Sequence, residues 1–438
     1  MADGRPYEPK DQLSLWMLAD PKNPISVGEI SLALRGQGVA LRYSRDWLEN
    51  GFALSEDLPL ADEVFLPRQK QEAAGAVHDA RPDRWGERLI CGFESASRMS
   101  LLELLLFAGA DRFGALGVSD RLDEYSPWAP SPIPTLDDLP AMQEAIRKVL
   151  FNEAVGESGQ RLLQPAVGLG GARPKSIVEI DGQPWLVKFG EGEEEDTPLI
   201  EHATMTLAAK CGIDVARTRA LSMGSCHAVA VRRFDREPGR RIHAISAHVA
   251  LRAAREEYSY PNLAQQLRRV ARSSEVAQLQ AQLFRRMVFN ILVDNTDDHE
   301  KNHALLRQAD GSWSLSPAFD VVSSMSGLGC QALLVGRDGH DSTLDNALSE
   351  AAAFGLKLPA AKAIVREIAH VVDGWQEHFQ SCAVSDADLA VLAQYLDNDR
   401  LGSQRRAHAV VSVTVSIAGI APLPDEEQPE APPRGSAR

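Results

Sequence analysis

Very little in this sequence would cross-link it, hold a structural metal through cysteines or seat it in a membrane. Its five cysteines (Cys91, Cys211, Cys226, Cys330, Cys382) are scattered singly, and no two have the C-x-x-C spacing. That leaves no zinc site or disulfide framework to read from the sequence, and a reducing cytoplasm is the expected setting. No apolar run reaches the ~18–20 residues a membrane helix needs. The uncharged stretch from Ala409 to Pro422 is shorter and alternates like a strand. The polar start, Met1-Ala2-Asp3-Gly4-Arg5, lacks the apolar core of a signal peptide. An excess of positive charge is missing too: the formal net charge is −15. That balance argues against the whole chain being a nucleic-acid-binding surface, though it leaves room for a local basic patch. Internal repeats are also lacking.

What is present is the composition of an ordinary soluble globular protein, 44% hydrophobic and 24% charged over 438 residues. That length suits two or three domains, since single cores rarely outgrow ~250–300 residues. Residues 10–125 mix strand-like segments (Ile25–Leu34, Val39–Tyr43) with helical ones (Arg84–Phe93, Leu101–Leu106). The proline-dense Tyr125-Ser-Pro-Trp-Ala-Pro-Ser-Pro-Ile-Pro-Thr135 reads as a linker. Residues 136–236 alternate helix and strand around a glycine-rich loop, and 237–408 are mostly helical. The tail, 422–438, is low in apolar residues and is expected to be disordered.

The glycine-rich loop is Gly168-Leu-Gly-Gly-Ala-Arg-Pro-Lys175, between strand-like Leu162–Val167 and a strand Ser176–Ile180. Gly168, Gly170 and Gly171, followed by Ala172, let the backbone approach a phosphate and turn its N–H groups toward it. The loop fits neither the dinucleotide-binding nor the P-loop pattern, and alone it is equally a tight turn. Asp181-Gly182 then marks a hairpin, and Pro184–Phe189 the returning strand. Lys188 sits on that strand on the face opposite Trp185, Val187 and Phe189, able to reach phosphates or simply exposed. Thr197-Pro198 opens a helix, with Thr197 as N-cap, that closes at Gly212. Glu201 in its first turns either pairs with Lys188 or compensates the helix dipole.

The richest segment begins at Leu283. Leu283, Phe284, Met287, Val288, Ile291 and Leu292 recur at helical spacing, and the pattern stops at Asp294. The loop beyond gathers Asp297, Asp298, His299, Lys301 and Asn302 on a rigid support. A hairpin follows (His303–Arg307, Gln308–Ser312, Trp313–Leu315), then Ser316-Pro-Ala-Phe-Asp320. A base aspartate, a metal-binding asparagine five residues on, a short hairpin and a second metal-binding aspartate is the succession of protein kinases. The hairpin returns the chain, so Asn302 and Asp320 can face one Mg²⁺, while Asp297 accepts the proton of an attacking hydroxyl. Asp294 and Asp298 read as loop-structuring residues. His299 orients Asp297 or is a structural turn histidine. Lys301 meets the transferring phosphate or lies in solvent. After the strand His227–Val231 comes Arg232-Arg-Phe-Asp-Arg236, where a linker between lobes would meet adenine. Phe234 packs on the base or is a core aromatic, and Arg233 joins the cofactor-binding candidates or pairs with Asp235. The acidic run Glu191–Asp196 reads as a solvated loop.

Together these residues resemble the HipA family of serine/threonine kinases, toxins of bacterial toxin–antitoxin pairs. The likeness rests on Gly170-Gly-Ala-Arg-Pro-Lys175, Arg233-Phe-Asp-Arg236, Asn295-Thr-Asp-Asp-His-Glu-Lys-Asn302, Ser316-Pro-Ala-Phe-Asp320 and the N-terminal Asp79-Ala-Arg-Pro-Asp-Arg-Trp-Gly86. The resemblance implies an α+β, kinase-like two-lobed fold: a mixed α/β ATP-binding lobe, an all-helical C-terminal lobe and a small N-terminal accessory subdomain. It also implies ATP and Mg²⁺, a HipB-like helix-turn-helix antitoxin, operator DNA bound through that antitoxin, and an aminoacyl-tRNA synthetase as protein substrate. Lys175, Lys188, Glu201, Arg233, Phe234 and His299 join the glycine loop as its cofactor-binding residues. Asp297 and Lys301 are catalytic, and Asn302 and Asp320 hold the metal. Where the family often has a self-phosphorylating serine at the start of the loop, this sequence has Gly168, so no phosphorylation is expected within residues 166–175.

Overall fold

The computed structural model describes residues 7–164 and 171–409. Among the described residues, three larger sheets, a two-stranded ribbon and a helical layer build the molecule, beginning with an N-terminal sheet of β1 (Gln12–Met17), β2 (Ile25–Ala33), β3 (Gly38–Tyr43), β4 (Val64–Phe65) and β5 (Leu116–Ser119). It runs β4-β3-β2-β1-β5, antiparallel throughout. Leu13, Leu15, Val27, Val39 and Leu41 are buried in it, as strand alternation dictates. Helix α1 (Arg45–Asn50) packs on β2, while α2 (Arg84–Phe93) and α3 (Leu101–Phe107) lie between β4 and β5 in sequence. Ser100 and Glu103 close α3 with a reciprocal capping box.

The proline-dense 125–135 segment connects β5 to the next helix without regular structure, and it packs on the N-terminal core. Trp128 packs on Phe107 at 4.9 Å and on Tyr7 at 5.5 Å between ring centres, and Tyr125 packs on Trp16. Burying aromatic rings outweighs the extended preference of the prolines, so the segment is strapped to the N-terminal core.

Next come α4 (Leu139–Leu150) and α5 (Glu157–Leu163). The latter corrects the strand expected from Leu162, whose apolar residues end a helix instead; residues 165–170 lie outside the described ones. A second antiparallel sheet follows, in the order β6 (Lys175–Ile180), β7 (Gln183–Phe189), β9 (His227–Arg232), β8 (Thr218–Ser222), with α6 (Thr197–Lys210) packed on β8 and β9. Pro198 stands in the first turn of α6, but Asp196, not Thr197, is the N-cap, accepting from the Leu199 N–H. A carboxylate favours that terminus over a hydroxyl because of the helix dipole.

A short ribbon of β10 (Arg236–Glu237) and β11 (Arg240–Arg241) leads to the third sheet, β12 (Ala244–Ser246), β13 (Ala304–Arg307) and β14 (Trp313–Leu315), in that order. The helical lobe comprises α7 (Ala247–Ala254), α8 (Tyr260–Val270), α9 (Val276–Leu292), α10 (Leu344–Ser349), α11 (Leu358–Asp373), α12 (Trp375–Ser381), α13 (Asp386–Leu396) and α14 (Asp399–Ala409). Helix α9 buries Leu283, Phe284, Met287, Val288, Ile291 and Leu292, the periodic stripe of the sequence. It is therefore a fixed post for the loop at its C-terminal end. Among the described residues no helix is long and apolar enough to cross a membrane.

Candidate active site

A cavity of about 520 Å³ opens between the second sheet, the loop after α9 and residues 78–84 of the N-terminal region. Gly171, Ala172, Lys175, Lys188, Arg233, Phe234, Asp297, His299, Lys301, Asn302 and Asp320 all line it. Residues scattered over 150 positions of sequence are thereby brought together. Gly168 and Gly170 lie outside the described residues.

Two lysines define the sheet side. Lys175 and Lys188 are direct cross-strand partners in β6 and β7, and both are buried. Like charges placed opposite each other in a pair of strands destabilise it, so this arrangement calls for compensation. Lys188 has it: its Nζ lies 2.6 Å from Glu201 Oε1 and 2.5 Å from Asp320 Oδ1. Burial disfavours its charge, but the two carboxylates outweigh burial and hold its pKa above the usual lysine range. Glu201 is thus a buried ion-pair partner, not an exposed dipole compensator, and burial raises its pKa against the pull of Lys188. Lys175 is pushed down to about 8, by burial first and then by the neighbouring Lys188 charge. Gly171 sits over it with φ +101, and a Cβ there would run into Lys175 Nζ. Only glycine fits so close an approach in that conformation.

Asp320 follows β14 with a left-handed backbone, φ 58. Burial acts against its ionisation, yet the charges of Lys188 and Lys175 prevail and hold it below the ordinary carboxylate range.

The loop after α9 is wound around the backbone of Asp297. Ser324 Oγ accepts from the Thr296 and Asp297 N–H groups, at 2.9 and 3.2 Å. The Asp297 carbonyl accepts from His299 N at 2.8 Å and from Asn302 Nδ2 at 3.2 Å. The Asp297 side chain stays exposed in the cavity. Its neighbour Asp298 is buried and accepts from Tyr260 Oη and, at 2.8 Å, pairs with His303 Nε2. Asp294 is buried too, accepting from the Ser326 and Gly327 N–H groups and pairing with Arg400. These two structure the loop and leave Asp297 as the aspartate of the set that faces the cavity. His299 caps the turn Glu300–Asn302 by accepting from Lys301 N, so it shapes the loop and lines the cavity without orienting the Asp297 carboxylate.

Arg233 is occupied within the protein. It forms a two-pronged pair with Asp235 (2.9 and 2.7 Å) and donates to the Arg112 carbonyl at 2.7 Å. Arg236 donates to that same carbonyl, and Asp235 accepts from Gly114 N. This cluster staples the connector after β9 to residues 112–114 and presents Phe113 beside Phe234, which also packs on Phe319 at 5.1 Å.

The front wall is what sequence reasoning missed. His78, Asp79, Arg81, Asp83 and Arg84 line the cavity, as does Phe113. Asp79 accepts from Ser246 N and Oγ, at 2.6 and 2.7 Å, pinning this segment to β12. Trp85 Nε1 donates to the Lys175 carbonyl at 3.0 Å. The available signal was the Asp79–Gly86 motif, to which no role was given.

Comparison with known proteins places these features in a family. Residues 23–119 match the HipA N-terminal domain and residues 167–375 the HipA-like C-terminal domain, together well over half of the chain. The chain is 27% identical over 410 residues to Y4mE of Sinorhizobium fredii, provisionally named a kinase, covering 86% of this chain and 92% of that one. It is 23% identical over 338 residues to the serine/threonine-protein kinase toxin HipA of Shewanella oneidensis, covering 68% and 73%. In structure it superposes on the S. oneidensis HipA solved with HipB and its operator DNA, with a TM-score of 0.63 at 19% identity, over 90% of this chain and 97% of that one. The fold is therefore α+β and kinase-like, and the chain belongs to the HipA family.

Proposed function

We propose that the chain is an ATP-dependent serine/threonine protein kinase acting as the toxin of a toxin–antitoxin pair. The observation that carries this reading is the facing pair Lys175 and Lys188 at the edge of a cavity whose far side holds the exposed Asp297. Two buried ammonium groups side by side suit a polyphosphate. Glu201 holds Lys188 in reach of the phosphates, and Gly171 and Ala172 bring backbone close to them. Leu186, Val231, Phe234 and Phe113 give the cavity an apolar end of the kind a nucleobase fills.

The donor set also suits magnesium. Asp320 is held ionised by its lysines, and Asn302 uses its amide nitrogen on the Asp297 carbonyl, which leaves its oxygen as the end open to a cation. Magnesium held there would neutralise phosphate charge and orient the terminal phosphate. Asp297 accepts the proton of a serine or threonine hydroxyl as its oxygen attacks, and Lys301 stands over the transferred group. The acceptor protein is proposed to be an aminoacyl-tRNA synthetase or a similar translation protein, in the cytoplasm. The partner is a HipB-like helix-turn-helix antitoxin that carries the complex to operator DNA, supported by the assembly named for the S. oneidensis HipA. A second reading, a nucleotide-binding regulatory subunit without transfer activity, draws on the direct pairing of Lys188 with Asp320.

The test incubates the protein with Mg-ATP and cell extract and maps new phosphosites. The parent chain is expected to label serine or threonine, and Asp297→Asn to label nothing while ATP binding stays within about twofold. Equal labelling by both would remove Asp297 from the role of base. ATP binding by both with labelling by neither would establish the regulatory reading. The same spectra check residues 166–175, where no phosphate is expected.

A further inference from the structure

Asp83 stands at the N-cap of α2, where an aspartate usually accepts from its own helix, yet its side chain makes no such bond. Its carboxylate turns instead across the cavity. Oδ2 accepts from the Gly171 N–H at 2.8 Å, and Oδ1 lies 2.8 Å from Lys301 Nζ. Giving up an N-cap bond costs about 1 kcal/mol, so the outward geometry is set by these two partners. They come from opposite walls, the glycine loop and the loop after α9. Asp83 lies 88 positions from the first and 218 from the second.

Both partners are donors of the kind a phosphate oxygen accepts from: a backbone N–H in a glycine loop and an ammonium. Two carboxylate oxygens bridging them make the contacts that two oxygens of one phosphate would make. All three groups line the cavity. The side chains of Asp83 and Lys301 are 21% and 35% exposed, so the pair is open to exchange with a ligand. The loop does not depend on Asp83 alone, because Trp85 holds it twice, through N to the Gly171 carbonyl and through Nε1 to the Lys175 carbonyl.

We infer that Asp83 is a placeholder for the terminal phosphate of the nucleotide. It holds Gly171 N–H and Lys301 while the site is free, and hands them over when a nucleoside triphosphate binds. It takes Lys301 back once the phosphoryl group has left. Asp83 is thus a positioning residue that acts through Lys301. It lowers affinity for the triphosphate specifically, and it makes the N-terminal segment part of the nucleotide site. This inference rests on the kinase reading above.

The experiment measures binding of Mg-ATP, Mg-ADP and adenosine by calorimetry to the parent chain, Asp83→Asn, Lys301→Met and the double variant. Asn keeps the size of the side chain and an acceptor for Gly171, and adenosine binding reports whether the site is intact. Asp83→Asn is expected to tighten Mg-ATP about fivefold, the scale of one partly exposed ion pair, and to leave adenosine unchanged. The gain should shrink for Mg-ADP and vanish when Lys301 is Met. Weaker binding of all the ligands by Asp83→Asn would mean that Asp83 merely braces the loop, and would overturn the exchange. Nucleotide binding by the parent chain with no gain in the variant would overturn the exchange alone. If the parent chain binds none of the ligands, the kinase reading falls and the exchange with it.

Discussion

The cavity is bounded by two ion-pair networks of the same chemistry and different character. At the back, Lys188 meets Glu201 at 2.6 Å and Asp320 at 2.5 Å; the Lys188 and Glu201 side chains are 9% and 5% exposed, while Asp320, which opens into the cavity, is 42% exposed. At the front, Lys301 and Asp83 meet at 2.8 Å with several times the exposure of the Lys188–Glu201 pair. A buried pair is hard to break, because removing one partner strands a charge in a low dielectric, whereas a partly exposed pair re-forms with water at little cost. The Lys188–Glu201 pair is therefore a fixed electrostatic frame at the back, and the front wall is a set of contacts a ligand can replace. Phosphate-binding sites need both, one to hold geometry and one to yield.

The difference is open to measurement, and the largest effect belongs to the back. Lys188→Met should lower unfolding free energy by about 3 kcal/mol, because Glu201 is then left as an unpaired buried carboxylate. Lys301→Met should change it by less than about 1 kcal/mol. Denaturant unfolding of the two variants decides; equal losses would break the distinction between the walls. A smaller contrast separates two adjacent aspartates. Asp298→Ala leaves Tyr260 Oη and His303 Nε2 without their acceptor in the interior, at about 2–3 kcal/mol. Asp297→Ala, at an exposed carboxylate, should stay within about 0.5 kcal/mol in stability while phosphoryl transfer is lost.

The same contrast sets how far the sequence could be read. Strands β6 and β7, helices α6 and α9 and the hairpin β13–β14 were legible, because alternation and helical periodicity are local consequences of burial. The return of Asp320 toward Asn302 was legible because a short hairpin must bring the chain back. Lys188 was ambiguous, since a strand lysine is usually exposed and only the distant Glu201 and Asp320 explain its burial. Leu162 was misread because a two-residue apolar run has no period. The front wall was legible only as the Asp79–Gly86 motif, not as part of the cavity. Asp83, Trp85 and Phe113 act through partners 86 to 218 positions away, and no pattern along the chain records such a contact. The packing of the proline-dense segment was hidden for a related reason: its prolines speak of the backbone, and Trp128 decides where it lies.

Between the walls lies Gly171, whose N–H serves the front and whose missing Cβ leaves room for Lys175 at the back. Gly171→Ala forces a side chain into a φ of +101 and against Lys175, so we expect a cost of about 1–2 kcal/mol. It should appear mainly as weaker ATP binding, because the loop can shift away from the cavity. Unchanged affinity would show that the loop already adopts another position when nucleotide is bound.

The smallest effect tests whether burial fixes polar groups beyond the cavity as well. His243 lies buried where the loop after α1 meets the third sheet, its Nε2 2.9 Å from the Leu54 carbonyl and its ring against Phe52 and Trp313. A carbonyl only accepts, so Nε2 carries the proton and donates. Burial, with a smaller push from the Arg307 charge, takes the His243 pKa down to about 4. The unfolded chain protonates this histidine near 6.5, so between the two values it binds more protons than the folded one. The contribution is thus fully present above about pH 6.5 and is lost as pH falls toward 4. It amounts to about 1 kcal/mol between pH 7 and 5.5. His243→Gln keeps a donor for Leu54 and cannot titrate, so its stability should fall less than that of the parent chain over that interval. If both fall in parallel, the histidine is not held neutral, and the seam yields to protons as readily as the front wall is proposed to yield to phosphate.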